Sequence, residues 1–369
     1  MSEIKALTSL RMIAALLVFF HHFYPFTRTG DVLENILIEG HIGVTIFFVL
    51  SGFLIALRYY DKFHDTGLTR AGLVDYYRKR VARIYPLYAF LLITSLFFPL
   101  SLLGLVEYSL TQGFFENAKF AGIPTAWSLT VEESFYFLLP LIAMRRTRSK
   151  IKAAFPKLLI VTLCLLLLGA LIVIVSNVTA LARVGGLGFM ASSTHMMTYT
   201  IFGRFLDFAV GILIAVIFKH SRIRVWFKQR TGRIGAELLV IGGLIWVGIF
   251  ANVMHINGGY AAAWVFNYGV SIGAGLVILG LTNEQTFLAR ALSFPLFVYL
   301  GKVSYALYLL QATWLFWNVK PENFIIPTAS PLVYFILLYT AANLVSALLY
   351  QWVETPMRNF ILRRTEPSQ

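Results

Sequence analysis

Apolar residues fill long stretches of the chain, and the polar breaks between them are short and mostly basic. Ten runs are long enough to cross a bilayer as helices: about 9–26, 41–60, 84–105, 126–144, 157–176, 198–218, 235–254, 261–281, 299–318 and 331–351. The fourth and sixth carry charges, which makes them the poorest candidates for lipid-facing spans. No long polar stretch, internal repeat or low-complexity segment divides the runs. Residues 1–369 therefore read as one all-α, polytopic membrane domain. The first run lacks a small-residue cleavage site and holds its own polar groups, so it reads as a retained span.

That first run, SLRMIAALLVFFHHFYPF, carries Arg11 and His22 eleven residues apart. Eleven steps of a helix return to within about 20° of the same face, with a separation along the axis of roughly 16 Å. A cation and an imidazole on one stripe of a membrane helix should face protein or a water-filled cavity. The simpler reading of His22 is a buried ring bonded to a carbonyl; the sharper one is a site.

Composition supports the membrane class, with 58% hydrophobic residues against 13% charged and a mean hydropathy of +0.74. The net charge of +14 would suit nucleic acid, but its distribution points elsewhere. With the amino terminus in the cytoplasm and ten spans, only Arg28, Lys119, Arg183, Arg204 and Lys320 of the 31 Lys and Arg fall outside. This is the positive-inside pattern; it places both termini in the cytoplasm and leaves no call for a nucleic-acid partner. The single cysteine, Cys164, excludes an internal disulfide and a cysteine zinc site, and no metal is expected.

The same topology puts His22, Glu132, Glu133, Arg204 and Asp207 at similar depth, toward the outer face. Arg204 and Asp207, one turn apart, read most simply as an ion pair. A carboxylate beside His22 could orient the ring and raise its basicity. On the inner side, DYYRKRVARIYPLY places Arg80 and Arg83 at i, i+3 on the approach to the third span, with Arg78 and Lys79 adding charge. Paired guanidinium groups suit bidentate phosphate binding. A basic collar on lipid headgroups is the plainer alternative, and Tyr76, Tyr77, Tyr85 and Tyr88 read as an interfacial belt.

These residues fall into a pattern that resembles the membrane-bound acyltransferase-3 family, bacterial enzymes that O-acylate surface polysaccharides. LRMIAALLVFFHH is similar to its opening motif, an Arg followed by ten residues and a His, which selects His22 over His21. GHIGVTIFFVLSGFLI, RKRVARIYPLY and AWSLTVEESFYFLLP resemble the next three motifs, carrying Ser51, Arg80 and Arg83, and Trp127 with Glu132. GRFLDFAVGIL, GKVSYALYLL and the closing YQWVETPMRNF with Glu354 complete seven motifs in order. Two positions depart from the pattern. Thr45 stands where many members have Asp, which shifts the role of acidic partner for His22 toward Glu132 or Glu133. Gln311 stands where many have His; it can hydrogen-bond but cannot exchange protons.

The resemblance implies a multi-pass enzyme of the bacterial inner membrane that uses acetyl-CoA or another acyl-CoA as donor. The CoA phosphates would rest on Arg80 and Arg83, with Ser51 either structural or donor-binding. The pantetheine arm would pass Arg11. His22 would act as general base or transient acyl carrier, oriented by Glu132, with Glu133 less suited because it points about 100° away. Trp127 would shape the pocket for a glycan or lipid-linked sugar, with Glu133 beside it. The short tail after the tenth run implies a stand-alone form without an appended soluble domain. The rivals are a secondary transporter for an anionic solute and an inactive scaffold. The absence of repeats and paired broken helices weighs against the transporter.

Overall fold

Helix accounts for nearly all regular structure, as apolar segments require when their backbone groups must bond within the segment. The structure, a computed structural model, describes residues 3–24, 30–60, 62–63, 69–95, 101–143, 150–256, 260–313, 316 and 330–363. Arg28, Lys320 and the charges at 145–149 and 364, which entered the charge asymmetry, lie outside them. Among the described residues no strand forms beyond one isolated bridge between Phe115 and Phe189.

The helices in chain order are α1 Lys5–Phe23, α2 Val32–Ile38, α3 Ile42–Ile55, α4 Arg70–Ser95, α5 Leu102–Tyr108 and α6 Trp127–Ala143. There follow α7 Lys150–Val178, α8 Ser193–Tyr199, α9 Ile201–Lys219, α10 Ser221–Phe227 and α11 Arg230–Ile256. The last are α12 Tyr260–Leu281, α13 Phe287–Leu292, α14 Pro295–Leu310, α15 Pro331–Leu349 and α16 Thr355–Arg363. Two π-helical turns, Ala56–Tyr60 and Tyr350–Glu354, prolong α3 and α15. Side-chain caps from Asp31, Ser101, Ser192, Thr286 and Ser330 satisfy the first free N–H groups of α2, α5, α8, α13 and α15.

Six helical segments are long and apolar enough to cross a membrane: Lys5–Phe23, Ile42–Tyr60, Ala154–Val178, Ser193–Lys219, Arg230–Ile256 and Pro331–Arg363. Their surroundings divide them. The apolar window of Ile42–Tyr60 is 78% buried, whereas those of Ala154–Val178, Arg230–Ile256 and Pro331–Arg363 are only 22% buried. α3 is thus central, with α1 and α9 against it, while α7, α11 and α15 turn rows of leucine, isoleucine and valine outward. Such outward apolar rows are what hydrocarbon contact requires.

Close approach holds the centre together. An added Cβ at Gly52 would collide with the Phe208 carbonyl, and one at Gly211 with the Val49 carbonyl, so α3 and α9 touch through these two glycines.

The third span differs from its expected form. α4 begins at Arg70, so the basic segment is the first half of the helix and not its approach. Its residues are compatible with helix and contain no breaker before Pro86; hydropathy alone marks only the apolar half. The tyrosine belt also changes: Tyr76 and Tyr88 are fully buried. Tyr88 donates to the Glu107 carbonyl at 2.7 Å. Tyr76 donates to the Tyr136 carbonyl at 3.1 Å. That carbonyl has lost its helical donor, because residue 140, four positions on in α6, is proline.

Candidate active site

α1 supplies both ends of the site. Near its start, half-buried Arg11 stacks over the Phe47 ring of α3 at 5.9 Å. Its Nε is buried without a hydrogen-bond partner among the described residues. Arg83, Glu132, Tyr136 and Glu354 all lie within electrostatic reach of it. Eleven residues on, His22 lies beside Gln311, the residue capping α14, within reach of its side-chain amide. Gln311 is fully buried, and its Nε2 donates to the Tyr308 carbonyl at 3.4 Å.

Glu132 stays with the Arg11 end. It accepts from the Ser51 hydroxyl of α3 at 2.5 Å and from the Tyr136 hydroxyl one turn along α6. The expectation that Glu132 orients His22 is corrected accordingly, since both hydrogen-bond partners of Glu132 among the described residues lie at the Arg11 end. The cause is where α6 starts. Thr125 and Ser128 both bond Tyr308 in the buried interior, at 3.3 Å and 2.7 Å. The helix therefore opens already inside the protein, and Glu132 lies deeper than a count from an outer surface gives. The Thr45 reading moves with it. Thr45 accepts from Arg204 at 2.7 Å and donates to Asn267 at 3.0 Å. Arg204 and Asp207 form the expected ion pair at 2.8 Å, and Ser271 donates to Asp207 at 2.5 Å. This buried network joins α3, α9 and α12.

Arg80 and Arg83, expected to act as a matched pair, have different surroundings. The Arg80 guanidinium stands over the rings of Tyr59, Tyr76 and Tyr136 at 5.7, 5.8 and 5.4 Å. Arg83 is paired with Glu354 at 2.5 Å and lies over the Tyr305 ring at 5.5 Å. Glu133 points away from Glu132, as the helix demands, within electrostatic reach of Arg80. Trp127 meets Tyr199 and Phe48 edge to face at 4.9 and 6.4 Å, half-buried in an aromatic wall.

Beyond His22 lies a group that sequence reasoning missed. His21 Nδ1 approaches the Ile38 carbonyl at 2.6 Å, and its ring is 5.4 Å from those of both His22 and His41. Glu39 meets His41 at 3.2 Å and His255 at 3.0 Å. Among the described residues no cluster of three or more His, Cys, Asp or Glu could hold a metal. Tyr136 and Glu354 were also missed as site members. For Tyr136 the signal was available in its i+4 spacing from Glu132; for Glu354 it was an acid inside an apolar closing stretch.

The candidate site thus has a cationic end at Arg11 and an imidazole end at His22 on one helix, with Ser51, Glu132 and Tyr136 gathered at the Arg11 end. A protein of Staphylococcus aureus (strain COL), provisionally named an O-acetyltransferase, is 24% identical over 390 residues, covering 97% of this chain and 58% of the relative. The O-acetyltransferase OatA of S. aureus (strain NCTC 8325 / PS 47) is 25% identical over 348 residues, covering 86% of this chain and 53% of OatA. The chain therefore spans a little over half the length of these curated relatives. No solved structure matches it. The sequence profile of the acyltransferase-3 family, described as an acyltransferase domain, matches residues 4–351. The chain belongs to that acyltransferase family.

Proposed function

We propose that this chain is an integral membrane O-acyltransferase that moves an acyl group, in the first instance acetyl, from cytosolic acyl-CoA to a hydroxyl of a surface or lipid-linked glycan. One observation carries the reading: a single helix face joins a guanidinium-rich end at Arg11 to His22, with a different set of partners at each end. The O-acetyltransferase relatives favour acetyl as the group transferred. The rise of roughly 16 Å between the two residues is on the scale of an extended pantetheine arm.

In this reading the nucleotide of the donor rests at the Arg80 and Arg83 end, and the arm runs along α1 past Arg11 and Ser51. The thioester then lies near His22. The acceptor hydroxyl oxygen attacks the thioester carbonyl carbon while His22 takes the hydroxyl proton. The C–S bond breaks, and the thiolate recovers that proton from the imidazolium to leave as free CoA. Alternatively the ring nitrogen attacks the thioester carbonyl carbon, the C–S bond breaks and CoA leaves as thiol with the ring's proton. The acyl-imidazole then passes its acyl group to the acceptor hydroxyl, whose proton returns to the ring. Gln311 holds the ring in place and Trp127 borders the acceptor space, whereas Glu133, within reach of Arg80, belongs to the donor end. The charge asymmetry supports ten spans, cytoplasmic termini and residence in the bacterial inner membrane.

The test is release of CoA thiol from acetyl-CoA by purified protein, with and without His22→Ala, alongside the masses of glycan esters from wild-type and deletion strains. Acyl transfer lost in a folded His22→Ala protein supports the reading. Full turnover by that variant removes His22 from the chemistry. Solute uptake without thiol release would favour a transporter.

A further inference from the structure

Resting on the donor site proposed above, we propose that the two arginines of the Arg80–Arg83 pair have separate tasks. Arg80 receives the phosphates of the acyl donor, and Arg83 is a positioning residue locked to Glu354. The difference lies in which charges are already met. Four basic residues crowd this part of α4. Arg78 and Lys79 share Asp75, at 3.5 and 2.7 Å. Arg83 has Glu354 at 2.5 Å. Among the described residues Arg80 alone of the four has no carboxylate within 4.0 Å, and its Nε has no hydrogen-bond partner.

The surroundings of Arg80 suit a residue that waits for an anion. Three tyrosine rings stabilise its cation through their faces without cancelling its charge, and a guanidinium over a ring keeps its N–H edge for oxyanion oxygens. Glu133 is within electrostatic reach but is not paired with it.

Arg83 cannot be released so readily. The Glu354 side chain is 1% exposed; Oε1 holds Arg83, and Oε2 has no hydrogen-bond partner among the described residues. A phosphate drawing Arg83 away would leave a buried carboxylate facing an incoming anion, and two like charges would share a dry site. The lock also has an architectural consequence. Glu354 ends the π turn Tyr350–Glu354, so the ion pair ties that turn to α4 beside Tyr305 and Arg11, at the entrance to the proposed arm path.

Arg→Lys at each position separates the tasks, because lysine keeps the charge but loses the two-pronged fit to phosphate. Binding of CoA itself to purified full-length protein in detergent is the measurement. Arg80→Lys is expected to weaken CoA binding about tenfold or more, while Arg83→Lys leaves it within about twofold. Glu354→Gln is expected to lower kcat with KM for acetyl-CoA within about twofold, and Glu354→Asp to recover most of the loss. Equal weakening by Arg83→Lys, or a rise in KM alone for Glu354→Gln, overturns the division. If wild type binds CoA and neither lysine variant weakens it, the division fails while the donor reading stands. No CoA binding by the wild type removes the donor reading and the division with it.

Discussion

Among the described residues the side chain that reaches His22 from a neighbouring helix is the amide of Gln311, and its chemistry decides what can be asked of it. Gln311 can fix the ring's orientation but brings no counter-charge to an imidazolium. Removing the ring should therefore cost far more than removing its holder. His22→Ala is expected to lower acyl transfer about 100-fold or more, with an unchanged thermal unfolding profile. Gln311→Leu should lower kcat by a smaller factor at unchanged KM for acetyl-CoA. At the other end of α1, Glu354→Ala strips a buried ion pair of one partner and should reduce stability by about 3–5 kcal/mol. Equilibrium unfolding of the purified protein measures it, and a loss near zero would mean that Arg83 finds another anion.

The elements reach the site through departures from regular helix. Tyr59 comes from the π turn that prolongs α3, and Glu354 from the one that prolongs α15. A π turn re-aims the side chains that follow it, which is why such turns gather at functional sites. Proline acts similarly in α6. Pro140 removes the donor that the Tyr136 carbonyl would have had, and Tyr76 of α4 fills the place. Tyr76→Phe should thus cost about 1–2 kcal/mol, and markedly less in a Pro140→Ala background, where a backbone N–H returns. Unfolding midpoints of the four proteins in the cycle test it; equal costs in both backgrounds would show that the hydroxyl serves something else. The α3–α9 crossing is stricter still. Gly52→Val has no room against the Phe208 carbonyl, so folded yield should collapse, as read by size-exclusion profile.

For the molecule as a whole, α1, α3 and α9 form a buried centre and α7, α11 and α15 an apolar exterior. Chains so arranged insert by the balance of Lys and Arg in their loops. Reporter fusions to either terminus should therefore report the cytoplasm; a periplasmic signal from one of them would require an odd number of spans. Increasing salt should weaken donor binding in wild type and less so in Arg80→Gln, which removes the charge, since the charged contact is the screened one.

The sequence alone determined the class, most helices, the shared face of Arg11 and His22, and the Arg204–Asp207 pair. Each of these depends on composition or on positions within one helix, where 3.6 residues per turn fixes geometry. What the tertiary structure decided lies between helices. Ser51 and Glu132 are 81 residues apart in the chain, and Arg83 and Glu354 are 271 apart. Their meeting depends on the depth at which each helix begins and the angle at which it crosses its neighbour. Helical periodicity encodes neither. A count along α6 sets Glu132 level with His22, whereas the fold starts α6 inside the protein and sets Glu132 beside Ser51 and Tyr136. Arg80 and Arg83, one turn apart and alike as a sequence, became different residues only when a distant carboxylate paired with one of them.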